Sequence, residues 1–159
     1  MGDGDHLVAI HDHLRGELAQ LRELVGEVER GRRDAADARH AISTMTLRQN
    51  DWTLGTYCQT YCRVVTMHHS IEDQAMYPRL RAAEPTLGPA LDRMLEEHHA
   101  VHGRLEALDQ ALVALVTEPD RGVVDVAAAL EGLEATLLAH LTYEEDQLVE
   151  PLNRLGFGL

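Results

Sequence analysis

Two stretches, 68-HHSIEDQAMYPRL-80 and 140-HLTYEEDQLVEPL-152, carry nearly the same pattern in different halves of the chain. Each stretch places a histidine four residues before a glutamate, continues with further acidic residues and then reaches a proline. Residues four apart lie on the same face of an α-helix, so each histidine points the same way as its glutamate. The repeat therefore predicts two related helices that each present an imidazole and a carboxylate on one face.

Composition narrows the class of protein. The chain has 159 residues, and we expect one domain that spans residues 1–159. Its 27 acidic residues outnumber 14 basic ones, for a net charge of −13, so a nucleic-acid partner is not expected. No stretch is long and apolar enough for a transmembrane helix, and the acidic MGDGDH start lacks the apolar segment of a signal peptide. We therefore expect a cytoplasmic protein with no membrane partner.

Apolar residues recur at intervals of three and four, which is typical of helices. Gly31 is expected to end the first helix, Asn50 and Asp51 to cap the second, and Pro151 to end the last. Residues 32–50 remain open between a long loop and a short extra helix. The predicted helices run from about Leu7 to Arg30, from Asp51 to about Arg81, from the Pro85–Pro89 turn to about Thr117, and from about Val123 to Glu150. Short connections favour an all-α, antiparallel up-and-down four-helix bundle.

The ten histidines can be sorted by their direction on these helices, at about 100° per residue. The residues that share the apolar stripes are His11, His68, Glu72, His98, His140 and Glu144. His102 lies at the edge of its stripe, about 70° from the centre. The residues predicted to point away from the core include His69, Asp73, His99 and Glu145. Every predicted helix therefore sends at least one polar side chain into a shared core.

A single histidine on an apolar face is more often a core residue than a ligand, but this core also contains two carboxylates. Burying two charged carboxylates without cations costs several kcal/mol each. A cluster of metal ions would remove that cost. Imidazole-rich sites suit iron, zinc, copper or nickel, so the residues by themselves leave the ion open.

Laid out in order, these residues resemble the motifs of the hemerythrin-like family, the HHE cation-binding domain, over nearly the whole chain. The matching motifs are His11, His68-x-x-x-Glu72, His98-x-x-x-His102 and His140-x-x-x-Glu144. The resemblance implies two iron ions joined by an oxo or hydroxo bridge, histidines as terminal ligands, and Glu72 and Glu144 as bridging carboxylates. In the oxygen-carrying members the last carboxylate is an aspartate five residues after its histidine. The spacing of four here resembles bacterial and cellular relatives assigned to stress response, iron handling or nitric oxide chemistry.

The resemblance implies a small-molecule ligand, namely dioxygen, hydrogen peroxide or nitric oxide. We expect a non-haem diiron protein that binds and turns over such species in oxidative or nitrosative stress. Catalase-like decomposition of peroxide is the turnover considered, and the sequence leaves open whether the protein is an enzyme. One alternative is a non-catalytic module that carries or senses oxygen or stores iron. Another is a diiron oxygenase with an organic substrate, which needs an apolar channel, here expected to be lined from residues 43–57.

Tyrosines near the predicted ligands are candidates for contact with the site. Tyr57, Tyr61 and Tyr143 either pack in the core with a hydrogen-bonded hydroxyl or approach an iron ion or its bound ligand. The outward acids Asp73, Glu145 and Asp146 are interpreted as a solvated face or as hydrogen-bond partners of the histidines. Cys58 and Cys62, one helical turn apart, are interpreted as core residues.

Overall fold

The computed structural model describes residues 2–36 and 44–157, and gives the backbone alone for 33–36 and 44–48. This part of the chain is helical throughout and contains no strand. The helices are α1 (Asp3–Ala36), α2 (Thr44–Ile71), α3 (Tyr77–Ala83), α4 (Gly88–Thr117) and α5 (Pro119–Leu155). A π-helical turn, Glu72–Met76, joins α2 to α3, and a 3-10 turn, Pro85–Leu87, precedes α4. The all-α prediction is confirmed.

Four helical rods form the bundle, because α2, the π turn and α3 continue one another. α1 packs against α2 and α5, and α4 packs against α2 and α5, so each rod has two neighbours. Arg32 near the end of α1 pairs with Asp51 near the start of α2, while His11 at the other end of α1 meets His68. Neighbouring rods are therefore antiparallel.

Two predicted boundaries near residues 31–51 were wrong. α1 continues past Gly31 to Ala36, and α2 begins at Thr44, so Asn50 and Asp51 lie inside the helix. Gly31 is buried, and packing outweighs the roughly 1 kcal/mol that a glycine costs in a helix. Asp51 binds the guanidinium of Arg32 instead of capping a helix. Residues 37–43 of the segment left open in sequence lie outside the described residues.

The last helix is longer than expected at both ends. It begins at Pro119, and it passes through the buried Pro151 to Leu155 instead of stopping there. Proline removes one hydrogen bond from a helix, and here its burial against the core offsets that loss. The helix ends at Gly156, whose positive φ of 66° is a left-handed conformation that glycine adopts without strain. This cap turns the chain so that Phe157 packs back onto the bundle.

The core has two apolar parts, one on each side of a polar layer. The larger part, which we call the leucine core, includes Leu14, Leu18, Val65, Val101, Leu105, Leu133 and Leu137. The smaller part, the end core, consists of Leu7, Met76, Tyr77, Leu80, Leu91, Met94, Leu148 and Leu152. On the first three rods the buried histidines and glutamates fall between these two sets along the sequence, and on α5 Glu144 does so while His140 lies between Leu137 and Leu141 of the leucine core. The polar layer is therefore enclosed by apolar side chains on both sides.

Candidate metal centre

The π turn sets the geometry on the second rod. The buried stripe of α2 consists of Leu54, Cys58, Tyr61, Val65 and His69. In the π turn the N–H of Tyr77 donates to the carbonyl of Glu72, five residues earlier. The wider turn rotates the residues that follow it and brings both Met76 and Tyr77 into the core. Pro78 comes directly after, and a proline inside a helical stretch is the sequence signal for such an irregular turn.

Glu72 lies between two groups of histidines. Its Oε2 is 3.3 Å from Nε2 of His68, and its Oε1 is 3.3 Å from Nε2 of His98. Ligand atoms within 4.8 Å of one another form two groups that share Glu72. Position 1 is His11, His68, Glu72 and Glu144, and position 2 is His69, Glu72, His98 and His140. The glutamate is placed to serve both groups at once.

Glu144 is less symmetric than Glu72. Its Oε1 lies 3.2 Å from Nε2 of His11, in position 1. Its Oε2 lies 3.6 Å from Nε2 of His140 and accepts a hydrogen bond from the hydroxyl of Tyr77. Glu144 therefore belongs fully to position 1 and borders position 2.

The interpretation that His69 points away from the core was wrong. His69 is only 7% exposed, its ring stacks on that of His98 with centroids 3.9 Å apart, and it lies edge-on to His140. The prediction placed His68 on the inward face because Val64 and Ile71 are apolar and share its side of the helix, but these residues are 43% and 56% exposed. The true stripe passes through Val65 and His69, so His68 lies at its edge and both histidines reach the cluster.

His102, a predicted ligand, lies outside the cluster. Its side chain is 62% exposed and contacts Glu106 at 3.2 Å. His98 occupies the centre of the α4 stripe and Val101 continues it, which leaves the next residue turned outward. The ring stacked on His98 is that of His69 from the neighbouring rod. His99 is exposed, as expected.

Carboxylates behind the cluster orient three of the histidines. Nδ1 of His11 lies 3.1 Å from Glu145, which also binds Arg15. Nδ1 of His98 lies 2.6 Å from Asp73, and Nδ1 of His140 lies 2.9 Å from Glu97. A carboxylate only accepts, so each Nδ1 carries a proton, and Nε2 is the ring nitrogen that faces the cluster. Asp73 and Glu145 thus act as hydrogen-bond partners, one of the two readings offered for them, whereas Glu97 was not identified from sequence.

Tyr77 is the tyrosine that contacts the site, and it was not among the tyrosines predicted to do so. Its hydroxyl donates to Glu144 and lies 3.3 Å from Nε2 of His98. Burial, followed by the nearby carboxylates, raises the pKa of Tyr77 above its usual value, so the phenol keeps its proton. The spacing from Glu72 to Tyr77 is five residues, which does not share a face in a regular α-helix. The π turn is what brings Glu72 and Tyr77 next to each other.

The three tyrosines predicted from the sequence make their hydrogen bonds and ring contacts outside the cluster. Tyr61 donates to the carbonyl of Leu14 at 3.0 Å, inside the leucine core. Tyr57 bonds to Glu17 and Gln20 near the surface. The ring of Tyr143 lies 3.8 Å from the guanidinium carbon of Arg93, outside the cluster. Of the two cysteines, Cys58 is fully buried and burial raises its pKa to about 12, which keeps it a neutral thiol.

The chemistry of the donors fits cations. Nε2 of His11 lies 3.3 Å from Nε2 of His68, and Nε2 of His98 lies 3.0 Å from Nε2 of His140. Burial lowers the pKa of His68 to about 4, so this imidazole is neutral at pH 7. Free lone pairs that face each other repel unless a cation lies between them.

Buried polar atoms without a hydrogen-bond partner also indicate a cation site. Both oxygens of Glu72, Oε1 of Glu144 and Nε2 of His69 are buried without a hydrogen-bond partner among the described residues. Burial, followed by the nearby charge of Glu144, raises the pKa of Glu72 well above its usual value, because the buried site disfavours a charged carboxylate. Metal ions at positions 1 and 2 would satisfy these atoms, so the residues fit a pair of cations.

Each position adjoins a different pocket. A pocket of about 240 Å³ with apolar walls opens on His68 and Glu72, in position 1. A second pocket of about 250 Å³, which also contains Thr66, Ser70 and Asp73, opens on His69 and His98, in position 2. The apolar channel was expected along residues 43–57, but the two pockets lined by Trp52 contain no residue of the cluster. The apolar pocket is formed instead by the start of α1, the π turn and the C-terminal segment.

The fold and the site together define a class: helical bundles whose core contains a buried cluster of histidines and carboxylates that can hold metal cations. The Hemerythrin HHE cation binding domain family matches residues 3–152, and the chain belongs to this family. No curated protein and no solved structure gave a significant match to the chain. Among the described residues, no helix combines the length and apolar character needed to cross a membrane.

Proposed function

We propose that the protein is a non-haem diiron protein that binds and turns over small oxygen or nitrogen species in oxidative or nitrosative stress. The ligands considered are hydrogen peroxide, dioxygen and nitric oxide. The observation that carries the proposal is the position of Glu72, whose two oxygens face different histidine groups at 3.3 Å. A buried carboxylate shared in this way is suited to joining two ions, and membership of a cation-binding family supports the same reading.

Iron is proposed because the donors combine neutral imidazoles with carboxylates, a set that suits ions of intermediate hardness. Within this set, His11, His68, Glu72 and Glu144 would hold one ion, and His69, His98, His140 and Glu72 the other. Two iron ions supply one-electron steps at each ion and hence two-electron chemistry as a pair. Peroxide disproportionation fits this capacity, since one peroxide is oxidised to dioxygen while another is reduced to two waters.

The chain's own residues supply orientation and protons. Glu145, Asp73 and Glu97 hold the protons of three Nδ1 atoms and thereby fix which ring nitrogen faces the site. The phenol of Tyr77 keeps its proton and donates a hydrogen bond to Glu144 beside His98, so it holds this carboxylate in place at the site. The leucine core and the end core shield the cluster on two sides, while the two pockets give access to it. Position 1 lacks a third histidine and adjoins the apolar pocket, so we assign the incoming ligand to this position.

The test is metal analysis of the purified protein combined with its optical spectrum before and after peroxide addition. We expect about two iron ions per chain, as two groups of four ligands would bind, and charge-transfer bands that change when peroxide is added. Oxygen evolution measured with an electrode reports turnover. Glu72→Gln should lose both iron and turnover, whereas Glu106→Gln, on the exposed face of α4, is the matched control. One iron per chain, or zinc in its place after growth with both metals, would contradict the proposal.

A further inference from the structure

The apolar pocket at position 1 is larger than a diatomic ligand or peroxide requires. An apolar cavity of about 150 Å³ is enough to hold benzene. The pocket of about 240 Å³ therefore has room for a molecule of roughly ten non-hydrogen atoms. Its apolar walls are Leu7, Ile10, Ile71, Ala75, Met76 and Phe157. A ligand that fills this volume must bury an apolar body against these side chains.

The side of the pocket next to Phe157 carries a cation. The guanidinium of Arg79 lies over the ring of Phe157, 4.7 Å from its centroid, and its Nη2 is 3.5 Å from the Phe157 carbonyl oxygen. Within residues 2–36 and 44–157, Arg79 forms no ion pair with a carboxylate, although the chain is strongly acidic. Among these residues no carboxylate neutralises its positive charge.

The C-terminal segment completes this wall. Gly156 turns the chain at the end of α5, and the N–H of Phe157 donates to Asp3 at 2.5 Å. The aromatic ring is thus fixed between α1 and Arg79, where it lines the pocket. The pocket is thus lined by apolar side chains together with His68, Glu72, His6 and the guanidinium-bearing Arg79.

We propose that this pocket binds a small organic acid, with its apolar body beside His68 and its carboxylate facing Arg79. The apolar body provides binding free energy through burial, and the guanidinium selects a carboxylate over an uncharged group. The inference rests on the proposed function, because it names a molecule held next to the metal pair. It concerns binding alone and assigns no chemical step to the molecule.

Phenylacetate and phenylacetamide are suitable probes because both have ten non-hydrogen atoms and differ in charge. We would titrate each into protein loaded with zinc, which is redox-inactive, and measure binding by calorimetry. Phenylacetate should bind at least about tenfold more tightly than phenylacetamide, the difference expected for one charge-assisted hydrogen bond. Equal affinities would overturn the role of Arg79, and tighter binding of the amide would assign the pocket to neutral molecules.

Two sets of variants locate the binding. Arg79→Gln should weaken phenylacetate binding about tenfold and remove the preference over the amide, whereas Arg63→Gln, an exposed arginine on α2, should not. Ala75→Phe and Ile10→Trp fill the pocket from opposite walls and should each abolish binding. Val64→Phe, on the surface of α2 in a different pocket, is the control. Unchanged binding in both filling variants would place the ligand elsewhere.

Three further outcomes distinguish this inference from the proposed function. Binding that requires zinc but does not respond to Arg79→Gln would place the carboxylate on the metal and overturn the proposed orientation. Arg79-dependent binding in a protein that holds one ion or none would support the pocket and contradict the diiron proposal. A protein that binds two irons but has the same phenylacetate affinity with and without the Ala75→Phe substitution would support the diiron proposal and contradict the proposed pocket.

Discussion

Positions 1 and 2 have similar numbers of donors but different surroundings. Position 1 has two histidines and two carboxylates, and it adjoins an apolar pocket. Position 2 has three histidines and one carboxylate, with the phenol of Tyr77 at its border and a more polar pocket beside it. Two carboxylates place more negative charge around position 1 than around position 2. The two ions of a bound pair would therefore differ in charge environment and in access.

The contrast has a local cause. The repeated His-x-x-x-Glu motifs would give equivalent halves if both helices were regular. The first motif leads into the π turn, which adds Tyr77 to the site, and the second continues as an α-helix through Pro151. His69 also follows His68 directly, while the residue after His140 is Leu141, which packs in the leucine core. One changed turn and one adjacent histidine make a repeated sequence into an asymmetric site.

Removing the metal should give the largest effect, because it affects both positions. Without cations, Glu72 and Glu144 stay buried beside lone pairs that have no partner. If free metal exceeds the dissociation constant about a thousandfold, binding stabilises the fold by about 4 kcal/mol. For a chain of this size that corresponds to about 8–16 °C in melting temperature. Thermal melting with and without a chelator tests this, and equal melting temperatures would show that the core tolerates an empty site.

Glu72→Gln should affect both positions, and Glu144→Gln mainly position 1. Glu72 belongs to both ligand groups, whereas the second oxygen of Glu144 is held by Tyr77. We expect Glu72→Gln to lower the affinity for both ions by more than about 100-fold, because the substitution removes a metal ligand and not just a hydrogen-bond partner of a ligand. Glu144→Gln should retain the ion at position 2. Metal content per chain after dialysis measures this, and identical losses in the two variants would remove the distinction between the glutamates.

His68→Ala and His69→Ala should empty different positions. His68 lies with His11 in position 1, and His69 lies with His98 and His140 in position 2. We expect each variant to keep about one ion per chain and to give a different optical spectrum. His102→Ala is the control, since its side chain is exposed, and it should retain both ions and the wild-type spectrum. Loss of metal in His102→Ala would show that His102 is a ligand, which would contradict its exposed position in the structure.

Tyr77→Phe should have the smallest effect on metal content and a measurable one on stability. The variant removes a buried hydrogen bond to a carboxylate, worth about 2 kcal/mol, or about 4–8 °C in melting temperature. Both ions should remain, while peroxide turnover and the spectrum of the peroxide-treated protein should change. Tyr61→Phe is the control, because its hydroxyl bonds to a backbone carbonyl in the leucine core. If both variants changed turnover equally, Tyr77 would have no special place at the site.

Much of the site follows from helical periodicity. His11, Glu72, His98, His140 and Glu144 are buried where their positions on the apolar stripes predicted. A regular helix rotates by a fixed angle per residue, so the spacing of leucines and valines on the same helix determines which side chains turn inward. On α2 the inward stripe was misplaced because Val64 and Ile71 are apolar but exposed, which turned His69 outward in the prediction.

Other features depend on contacts that periodicity does not describe. Glu97 meets His140 across two helices, and Arg15 meets Glu145 in the same way, so neither pairing follows from the spacing within one helix. Asp51 looks like a helix cap in the sequence but binds Arg32, about 20 residues away along the chain. Pro151 looks like a helix end but is buried in α5. In each case a tertiary interaction outweighs a local preference of about 1–3 kcal/mol.

The sequence by itself determined the helical class and the presence of a layer of histidines and glutamates within the apolar core. Both depend on the order of residues along each helix. The tertiary structure alone decided that His69 and Tyr77 join the site and that His102 does not. It also placed the apolar pocket between α1, the π turn and Phe157. These outcomes depend on a turn with one extra residue and on the docking of segments distant in sequence. Their free energies come from packing between helices, which no single helical repeat contains.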